Sequence, residues 1–519
     1  MRARLLASVA TTLVLSSLAY AGSAATLPES DQLAKTLAPY LAKPLPSVES
    51  LVGVAMHAAA PLLVVGSLGD DEALSQHDRG YAVGFTLNEL LFDADPRLDV
   101  VAPWYYAYDT RAKNAPRAFK RDSAANAYRV AARDHARWCA HGRVRGVAPA
   151  RIEFTVDACS PGDASHQREW VIGADSDWPT ALAEMCEFAS TSATGELTAR
   201  AKTSCSRARD IRPSSLMALA RYGGTREYGS WKSIEAMVAA DPKFAPAVIE
   251  YVTWIRYDND RNAFWNQVTA TALRVPQSSA VQLHAFSRLV LAYGWKIENR
   301  PYPQFFAWVR DHSYLSAAWL GLASGLSSGT PGLWPADEVI PSSAENGPPP
   351  RRKKSYPPNE ATHSASLALS LAIYRNWPQS YRSLWMMGYA LQRYGWMLRG
   401  SEFVRDAPQI GKRGFPVFIS WADRFNDAAL ELHPEADTLW IGKMVTTKLD
   451  GGDWLAVFDR AVEVSPHNAQ LYEDAMSYAV NRWGGNFIVR GRIESVARAK
   501  NPNAEWARTL RERWEKAYP

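Results

Sequence analysis

The sequence predicts an α+β protein in which a small amino-terminal α/β domain is followed by a longer part built from helices. Three observations support this fold class. Short apolar runs alternate with helical patterns between about residues 60 and 190. All four cysteines fall in the same part of the chain. Prolines recur at intervals near 34 residues in the remainder. At 519 residues the chain is too long for one ordinary core, so two or three folded units are expected.

Residues 1–25 are predicted to be a secretory signal peptide. Basic Arg2 and Arg4 precede an apolar run, Leu5–Leu18, and small residues follow it. Cleavage is expected after Ala21 or Ala25. The alternative is an uncleaved membrane anchor, but the apolar run is short and contains Thr and Ser.

The charge and hydropathy of the rest of the chain limit its location and partners. Without Arg2 and Arg4 the formal charge falls from +5 to 5 − 2 = +3, which is too weak a bias to indicate nucleic acid. No later segment has the roughly 20 apolar residues of a membrane span. We therefore expect the chain not to span a membrane after signal removal, and to be periplasmic or secreted in a bacterial envelope.

The four cysteines indicate one disulfide-bearing domain in an oxidising compartment. They are Cys139, Cys159, Cys186 and Cys205. Three pairings are possible, and we favour Cys139–Cys159 with Cys186–Cys205 because the first pair flanks a predicted hairpin. Each loop of about 20 residues would stabilise the fold by about 3 kcal/mol. A zinc site is the alternative, but the chain has no CxxC pair, and we expect no metal or cofactor.

Strands and helices of the predicted α/β domain, residues 45–208, follow each other in a regular order. Leu62–Gly66 is short, apolar and β-branched, as a buried strand should be. The expected elements after it are a helix at Gly80–Phe92, a strand at Leu98–Ala102 and a helix at Ala124–Asp134.

A predicted antiparallel hairpin comes next. Ala136–Gly146 and Arg151–Ala158 both alternate polar and apolar residues and are separated by a short loop. A last strand at Glu169–Ile172 leads to a helix that begins near Asp177, with Pro179 in its first turn.

The order of these elements and several local phrases resemble the TolB amino-terminal-like domain. The matching phrases are Leu62–Gly66, Gly80–Leu91, Leu98–Ala102, Tyr128–Arg133, Ala136–Val144 and Val156–Ala158. The resemblance covers roughly residues 60–190 and implies a role in protein interaction and envelope assembly, with no catalytic residues. The paired cysteines and the missing β-propeller depart from TolB itself.

Prolines mark predicted helical repeats in the rest of the chain. Pro242 and Pro276 lie 34 residues apart. Later prolines lie 56, 32 and 36 residues apart: Pro378, Pro434, Pro466 and Pro502. Proline ends one helix and begins the next, and a helical hairpin cannot bury its apolar face alone, so copies stack. The 56-residue interval predicts a repeat with an insertion around Gly400–Gly414.

This pattern resembles the tetratricopeptide repeat (TPR) family and implies a mostly α-helical, TPR-like solenoid. The predicted repeats cover residues 209–328 and 361–519, although the Trp-Leu-Gly-Tyr signature is incomplete and leaves the repeat number open. An irregular helical domain is the alternative. Residues 329–360 are rich in Pro and Ser and carry a basic run at Arg351–Lys354, so a linker or exposed insertion is expected.

Local motifs for catalysis are missing. Gly325–Gly329 spells a nucleophile pattern in the wrong structural context, and the sequence contains no phosphate-binding loop, dinucleotide fingerprint or zinc-protease helix. We expect most of the twenty tryptophans to pack in repeat cores. Six are candidates for partner binding: Trp254, Trp295, Trp385, Trp396, Trp440 and Trp483.

These patterns favour a non-catalytic scaffold or adaptor that binds an unidentified protein or peptide through its helical repeats. The alternative is a cell-envelope enzyme or glycan/peptide-binding protein that acts through a Trp-lined groove. Carboxylates clustered beside exposed tryptophans would favour this alternative. A small-ligand sensor that uses the α/β domain is a third hypothesis.

Overall fold

The computed structural model confirms the α+β fold class. It describes residues 27–56, 62–66, 68–70, 78–101, 123–146, 149–159, 165–225, 231–255, 261–293, 302–312, 315–316, 319–320, 322–323, 360–400, 407–434, 436–479 and 486–517. The predicted signal peptide and nearly all of the predicted linker lie outside these residues.

The amino-terminal part contains six strands and six helices in the described residues. They are α1 (Ser30–Leu37), α2 (Val48–Val52), β1 (Leu62–Val65), β2 (Gly69–Asp70), α3 (Arg79–Phe92), β3 (Asp99–Val101), α4 (Ser123–Asp134), β4 (Trp138–Arg145), β5 (Ala150–Ala158), β6 (Ser165–Ile172), α5 (Trp178–Thr194) and α6 (Ala199–Ser206). The predicted strands and helices of the α/β domain are all present, with ends shifted by a few residues.

The strands form one mixed sheet in the order β3-β1-β4-β5-β6, and β2 pairs with β4. β1 is parallel to both β3 and β4, whereas β4, β5 and β6 are antiparallel. In the predicted hairpin Trp138 lies opposite Ala158 and Cys139 lies opposite Asp157. Because side chains alternate between the faces, this register puts Cys139, Asp157 and Cys159 on one face of the sheet.

Helix α3 lies between the sheet and the helices that follow. All fourteen of its residues are buried, including the polar Thr86, Asn88 and Glu89. This explains why its apolar positions give only an imperfect helical stripe in the sequence: a helix covered on every side needs no polar face.

One predicted disulfide is formed and the other is not. Cys186 on α5 and Cys205 on α6 are bonded, and their Cα atoms are 5.4 Å apart. Cys139 and Cys159 are free thiols, so the predicted bond between them is not formed in this structure. The hairpin does bring these two residues together, but on diagonal rather than directly opposite positions of β4 and β5.

Removing the Cys186–Cys205 disulfide should lower the free energy of unfolding by about 3 kcal/mol, because the bond restricts the unfolded chain. The test is urea denaturation of Cys186→Ala/Cys205→Ala. Cys159→Ala is the matched control, since Cys159 is free, and should cost much less. Equal losses for the two proteins would contradict the prediction.

Two sets of helices follow the α/β part. The first set contains α7 (Pro213–Thr225), α8 (Trp231–Ala240), α9 (Ala245–Trp254), α10 (Arg261–Ala272), α11 (Ser279–Tyr293) and α12 (Tyr302–Asp311). Pro242 lies between α8 and α9, and Pro276 lies between α10 and α11, as predicted. From α7 to α11 each helix packs on the next, and α9 also packs on α11, so these helices form stacked two-helix units.

The second set contains α13 (Glu360–Asn376), α14 (Tyr381–Arg399), α15 (Gln409–Leu432), α16 (Asp437–Leu449), α17 (Trp454–Val464), α18 (Ala469–Tyr478), α19 (Phe487–Lys500), α20 (Glu505–Arg508) and α21 (Leu510–Ala517). The later prolines lie between helices, as the pattern predicts. Packing of α14 on α16 and of α16 on α18 again joins alternate helices.

The predicted insertion around Gly400–Gly414 is only partly described: residues 401–406 lie outside the described part of the chain, and residues 409–414 belong to α15. The 56-residue interval between Pro378 and Pro434 contains two long helices: α14 has 19 residues and α15 has 24. Gly411 lies inside α15, where a Cβ atom would come within 2.3 Å of the Leu398 carbonyl oxygen. This glycine permits close helix packing rather than a loop.

The first set of helices shares its core with the α/β part. A single cluster of buried residues joins the sheet and α3 to α7–α12, and α3 packs directly on α7, α9 and α11. The faces of α7, α9 and α11 that contact α3 are therefore covered from within the chain. In the described parts of the chain, every helix is too short or too polar to cross a bilayer.

Candidate functional site

The six tryptophans proposed for partner binding have different environments. Trp295 and Trp483 lie outside the described residues, and the side chain of Trp254, at the end of α9, is not described. Trp396 and Trp440 are buried, with exposed fractions of 7% and 8%. Trp385 is half-buried.

Trp396 and Trp440 pack inside the helical part, so their predicted role in partner binding stays a prediction without support from their exposure. The Trp396 ring packs edge-on against Phe415, with 4.9 Å between ring centres. The Trp440 indole nitrogen donates to the Pro434 carbonyl oxygen at 2.7 Å and so fixes the turn before α16. Side chains with these internal contacts are not available to a partner. Trp385 alone among the six has a described side chain that solvent reaches appreciably.

Trp385 belongs to a half-exposed stripe along α14. The members of this α14 stripe recur at every fourth position: Tyr381, Trp385, Tyr389, Arg393 and Met397. Residues four apart lie on one helix face. Most other positions of α14 are buried, because α13, α15 and α16 pack around it. This partly accessible row on an otherwise buried helix makes the stripe our candidate binding site.

Ring and charge contacts order the centre of the α14 stripe. Trp385 and Tyr389 are stacked, with ring centres 6.2 Å apart and planes inclined by 21°. The Arg393 guanidinium lies 5.0 Å from the centre of the Tyr389 ring and donates a hydrogen bond of 2.8 Å to the Tyr389 hydroxyl. These contacts limit the rotamers of three large side chains before any partner binds, which lowers the entropic cost of binding.

Arg393 is a permanent positive charge within the stripe. The Tyr389 hydroxyl and, more weakly, that of Tyr478 on α18 raise the pKa of Arg393 above its usual value. The charge also acts on α13: burial, assisted by Arg393, lowers the pKa of His363 to about 4. His363 is therefore neutral near pH 7, and Arg393 carries the positive charge at this position.

Helix α18 adds acidic groups on the side of Tyr478. Glu473, Asp474, Ser477 and Tyr478 are half-buried. Burial raises the pKa of Asp474 to about 6, although the Gln470 amide donates to it at 3.1 Å. The α14 stripe thus combines aromatic rings and one cation, and half-buried carboxylates lie on α18 near Tyr478.

Metal binding has no assembled set of ligands in the described residues. Within those ranges no cluster of three or more His, Cys, Asp or Glu side chains has the geometry to hold a metal ion. The carboxylates near the stripe are on a neighbouring helix, and no nucleophile is paired with a base there in the described contacts.

The buried imidazole of His363 predicts a pH dependence of stability. The unfolded chain takes up a proton near pH 6.5, whereas the folded protein does so only near pH 4, where the pKa of His363 lies. Stability should therefore fall as the pH drops through this window, by on the order of 3 kcal/mol for this group. We expect His363→Gln to lose less stability than the wild type between pH 6.5 and 4.5.

Urea midpoints measured across this range check the prediction. His284, whose pKa burial also lowers to about 4, remains in both proteins and sets the residual slope. Parallel curves for wild type and His363→Gln would contradict the assignment.

The sequence identified Trp385 but not the rest of the site. The four-residue spacing of Tyr381, Trp385, Tyr389 and Arg393 is visible in the sequence, yet it is equally typical of a core stripe. The other positions of α14 distinguish an accessible stripe from a core stripe. Most of them are apolar or small, so they form the buried faces of the helix. The chain matches no protein-family model and no curated protein.

Proposed function

We propose that the protein is an exported, non-catalytic scaffold that binds a protein partner along the α14 stripe. The observation that carries this proposal is an accessible row of Tyr, Trp, Tyr, Arg and Met on an enclosed helix. Trp, Tyr and Arg are the residues that most often dominate binding energy, and Met is enriched at interfaces.

The packing of the first set of helices supports the second set as the binding part. Helices α9 and α11 are in contact with α3, so their inner face is filled from within the chain. Glu250 on α9, for example, accepts hydrogen bonds from Tyr81 on α3 and Tyr222 on α7 at 3.3 and 3.2 Å. In this proposal the α/β part supports the helical surface instead of acting as a separate module.

The family and location follow as part of the same proposal. Stacked helix pairs separated by prolines support a TPR-like assignment for the helical part, and the strand order supports a TolB-like assignment for the α/β part. The Cys186–Cys205 disulfide is typical of an oxidising compartment and supports a periplasmic or secreted location.

Differential affinity isolation from the envelope fraction of the source cells tests the proposal. The protein is compared with Trp385→Ala/Tyr389→Ala/Arg393→Ala and with Arg413→Ala, a control on the exposed surface of α15. We expect the amount of at least one co-isolated protein to fall by about tenfold or more with the triple variant and to be unchanged with the control.

Two results would contradict the proposal. One is retention of the same proteins, in the same amounts, by the triple variant. The other is turnover of cell-wall fragments by the purified wild type, which would favour an enzyme. Far-ultraviolet circular dichroism of each variant separates loss of binding from loss of folding.

A further inference from the structure

Cys139 and Cys159 lie together on the face of the sheet that α4 covers. Cys139 is the second residue of β4 and is fully buried, next to Ala127 and Val130 of α4. Cys159 immediately follows β5 and is partly accessible. The backbone N–H of Cys159 donates to the Arg137 carbonyl oxygen at 2.8 Å, which fixes the end of the strand pair. The two thiols are within hydrogen-bonding contact.

A group of polar side chains lies beside the two thiols. Asp157 lies opposite Cys139, and its carboxylate contacts His141 Nε2 at 2.8 Å and accepts a hydrogen bond from the Tyr128 hydroxyl. These three groups lie on the same face as the cysteines, so polar groups adjoin the thiols on one side, while apolar residues of β1 and α4 pack against them on the other.

The two sulfurs differ in reactivity. The hydrogen bond from Cys139 lowers the pKa of Cys159, although burial and the Asp157 carboxylate oppose this effect. Conversely, the contact with Cys159 and burial raise the pKa of Cys139. The thiolate is the reactive form of cysteine, so the accessible Cys159 is the expected nucleophile and Cys139 the expected resolving thiol.

A bond between these two positions would be strained. Diagonal residues of antiparallel strands have Cα atoms about 7–8 Å apart, whereas disulfides usually need 4.4–6.8 Å. The hairpin must close locally to form the bond. Strain makes a disulfide easier to reduce.

We propose that Cys139 and Cys159 form a reversible redox site that exchanges with the disulfide of another molecule. The Cys159 thiolate attacks one sulfur of that disulfide and forms a bond to it. The S–S bond of the other molecule breaks, and its other sulfur leaves as a thiolate that takes up a proton. Cys139 then loses its proton and attacks the Cys159 sulfur, releasing the second thiolate, which is also protonated. Two thiols and one disulfide on each side balance the reaction.

This site is independent of the α14 stripe. The proposed Cys139–Cys159 bond differs in role from the Cys186–Cys205 disulfide, which joins two helices within the core. A permanent bond stabilises the fold, whereas a strained bond with one accessible sulfur responds to the redox state of its surroundings.

Equilibration of the full-length protein in glutathione buffers of varied redox ratio tests the proposal. Alkylation followed by peptide mass analysis reports each cysteine pair in one sample. We expect Cys139–Cys159 to be reduced with an equilibrium constant at least about tenfold larger than that of Cys186–Cys205. If both pairs are reduced together, or if Cys139 and Cys159 remain thiols in oxidised glutathione, the proposal is overturned.

Single variants assign the roles of the two sulfurs. Cys139→Ser should accumulate a glutathione adduct on Cys159, whereas Cys159→Ser should leave the buried Cys139 largely unmodified. Adducts of equal yield in the two variants would refute the assigned order of attack. A protein disulfide, such as an oxidised thioredoxin-type protein, can replace glutathione. Faster oxidation by that protein would identify the source of the exchanging disulfide as a protein, and faster oxidation by glutathione would identify a small molecule.

Discussion

Replacing Arg382 by methionine is expected to lower the free energy of unfolding by about 3–5 kcal/mol near pH 7. Arg382, on α14, donates to Asp134 Oδ1 at 2.9 Å, and both side chains are almost completely buried. Ser380 donates to the same oxygen at 2.6 Å. Asp134 ends α4, so this contact joins the α/β part to the second set of helices. Methionine would fill much of the volume but leave a buried carboxylate without its cation.

A second buried carboxylate should increase the loss of stability in Arg382→Met. Asp99 on β3 is fully buried, and its carboxylate lies near Ser316 and Arg382. Burial raises its pKa to about 6, while Arg382 opposes this rise and Asp134 adds to it. Without Arg382 the pKa of Asp99 should rise further.

The pH dependence distinguishes lost charge from lost packing. A carboxylate whose folded pKa is raised binds more protons in the folded protein than in the unfolded chain, so stability falls as the pH rises towards that pKa. Arg382→Met should therefore be closer to the wild type at pH 5 than at pH 7.5 in urea denaturation. Arg382→Met/Asp134→Asn should lose less than the sum of its two single variants.

Arg145→Met is the matched control. Arg145 pairs with Glu153 across β4 and β5 at 2.9 Å, but both side chains are substantially exposed, so the pair should contribute little. A loss for Arg382→Met no larger than that for Arg145→Met would show that the buried pair does not hold the two parts together.

Replacing Phe85 by alanine should also lower the free energy of unfolding by about 3–5 kcal/mol. Phe85 lies in α3, is 1% exposed and contacts the Tyr81 ring, with 5.7 Å between ring centres. Because α3 is enclosed between the sheet and α7, α9 and α11, the surroundings cannot easily close the cavity. Val171→Ala, at a position that is 58% exposed on β6, should change stability by no more than about 0.5 kcal/mol.

Hydrogen exchange shows whether the two parts around α3 unfold together. A shared core predicts that amides of β4 and of α9 lose protection to the same extent in Phe85→Ala. Loss of protection in β4 alone, with α9 unaffected, would indicate two independent cores and contradict the packing of α3.

Local patterns predicted the individual elements well because the signals are local. The alternating residues of β4 and β5 and Pro179 in the first turn of α5 correspond to observed elements. Long-range contacts left weaker signals. The amphipathic stretch near Asp31 became α1, whose Leu33 and Leu37 are fully buried in the core of the second set, and Ser30 donates to the Leu371 carbonyl oxygen at 2.9 Å. Nothing near residue 30 indicates a partner more than three hundred residues away.

The candidate site shows the same difference between local signals and long-range contacts. The sequence identified Trp385 as an aromatic residue on a repeat helix, but it could not distinguish this position from Trp396 or Trp440. Exposure depends on which neighbouring helices cover each face, and this is set by packing across repeats. The cysteines are similar: alternation put Cys139 and Cys159 near each other, whereas their diagonal register depends on a one-residue choice in pairing.

Site-specific photo-crosslinking in cells tests the central claim most directly. A benzoylphenylalanine residue replaces Tyr389 in the α14 stripe in one protein and Arg413 on the exposed surface of α15 in another. The account predicts a discrete protein adduct from position 389, a much weaker one from position 413, and loss of the former when Arg393→Ala is added. Adducts from position 413 without any from position 389 would contradict the proposed binding surface.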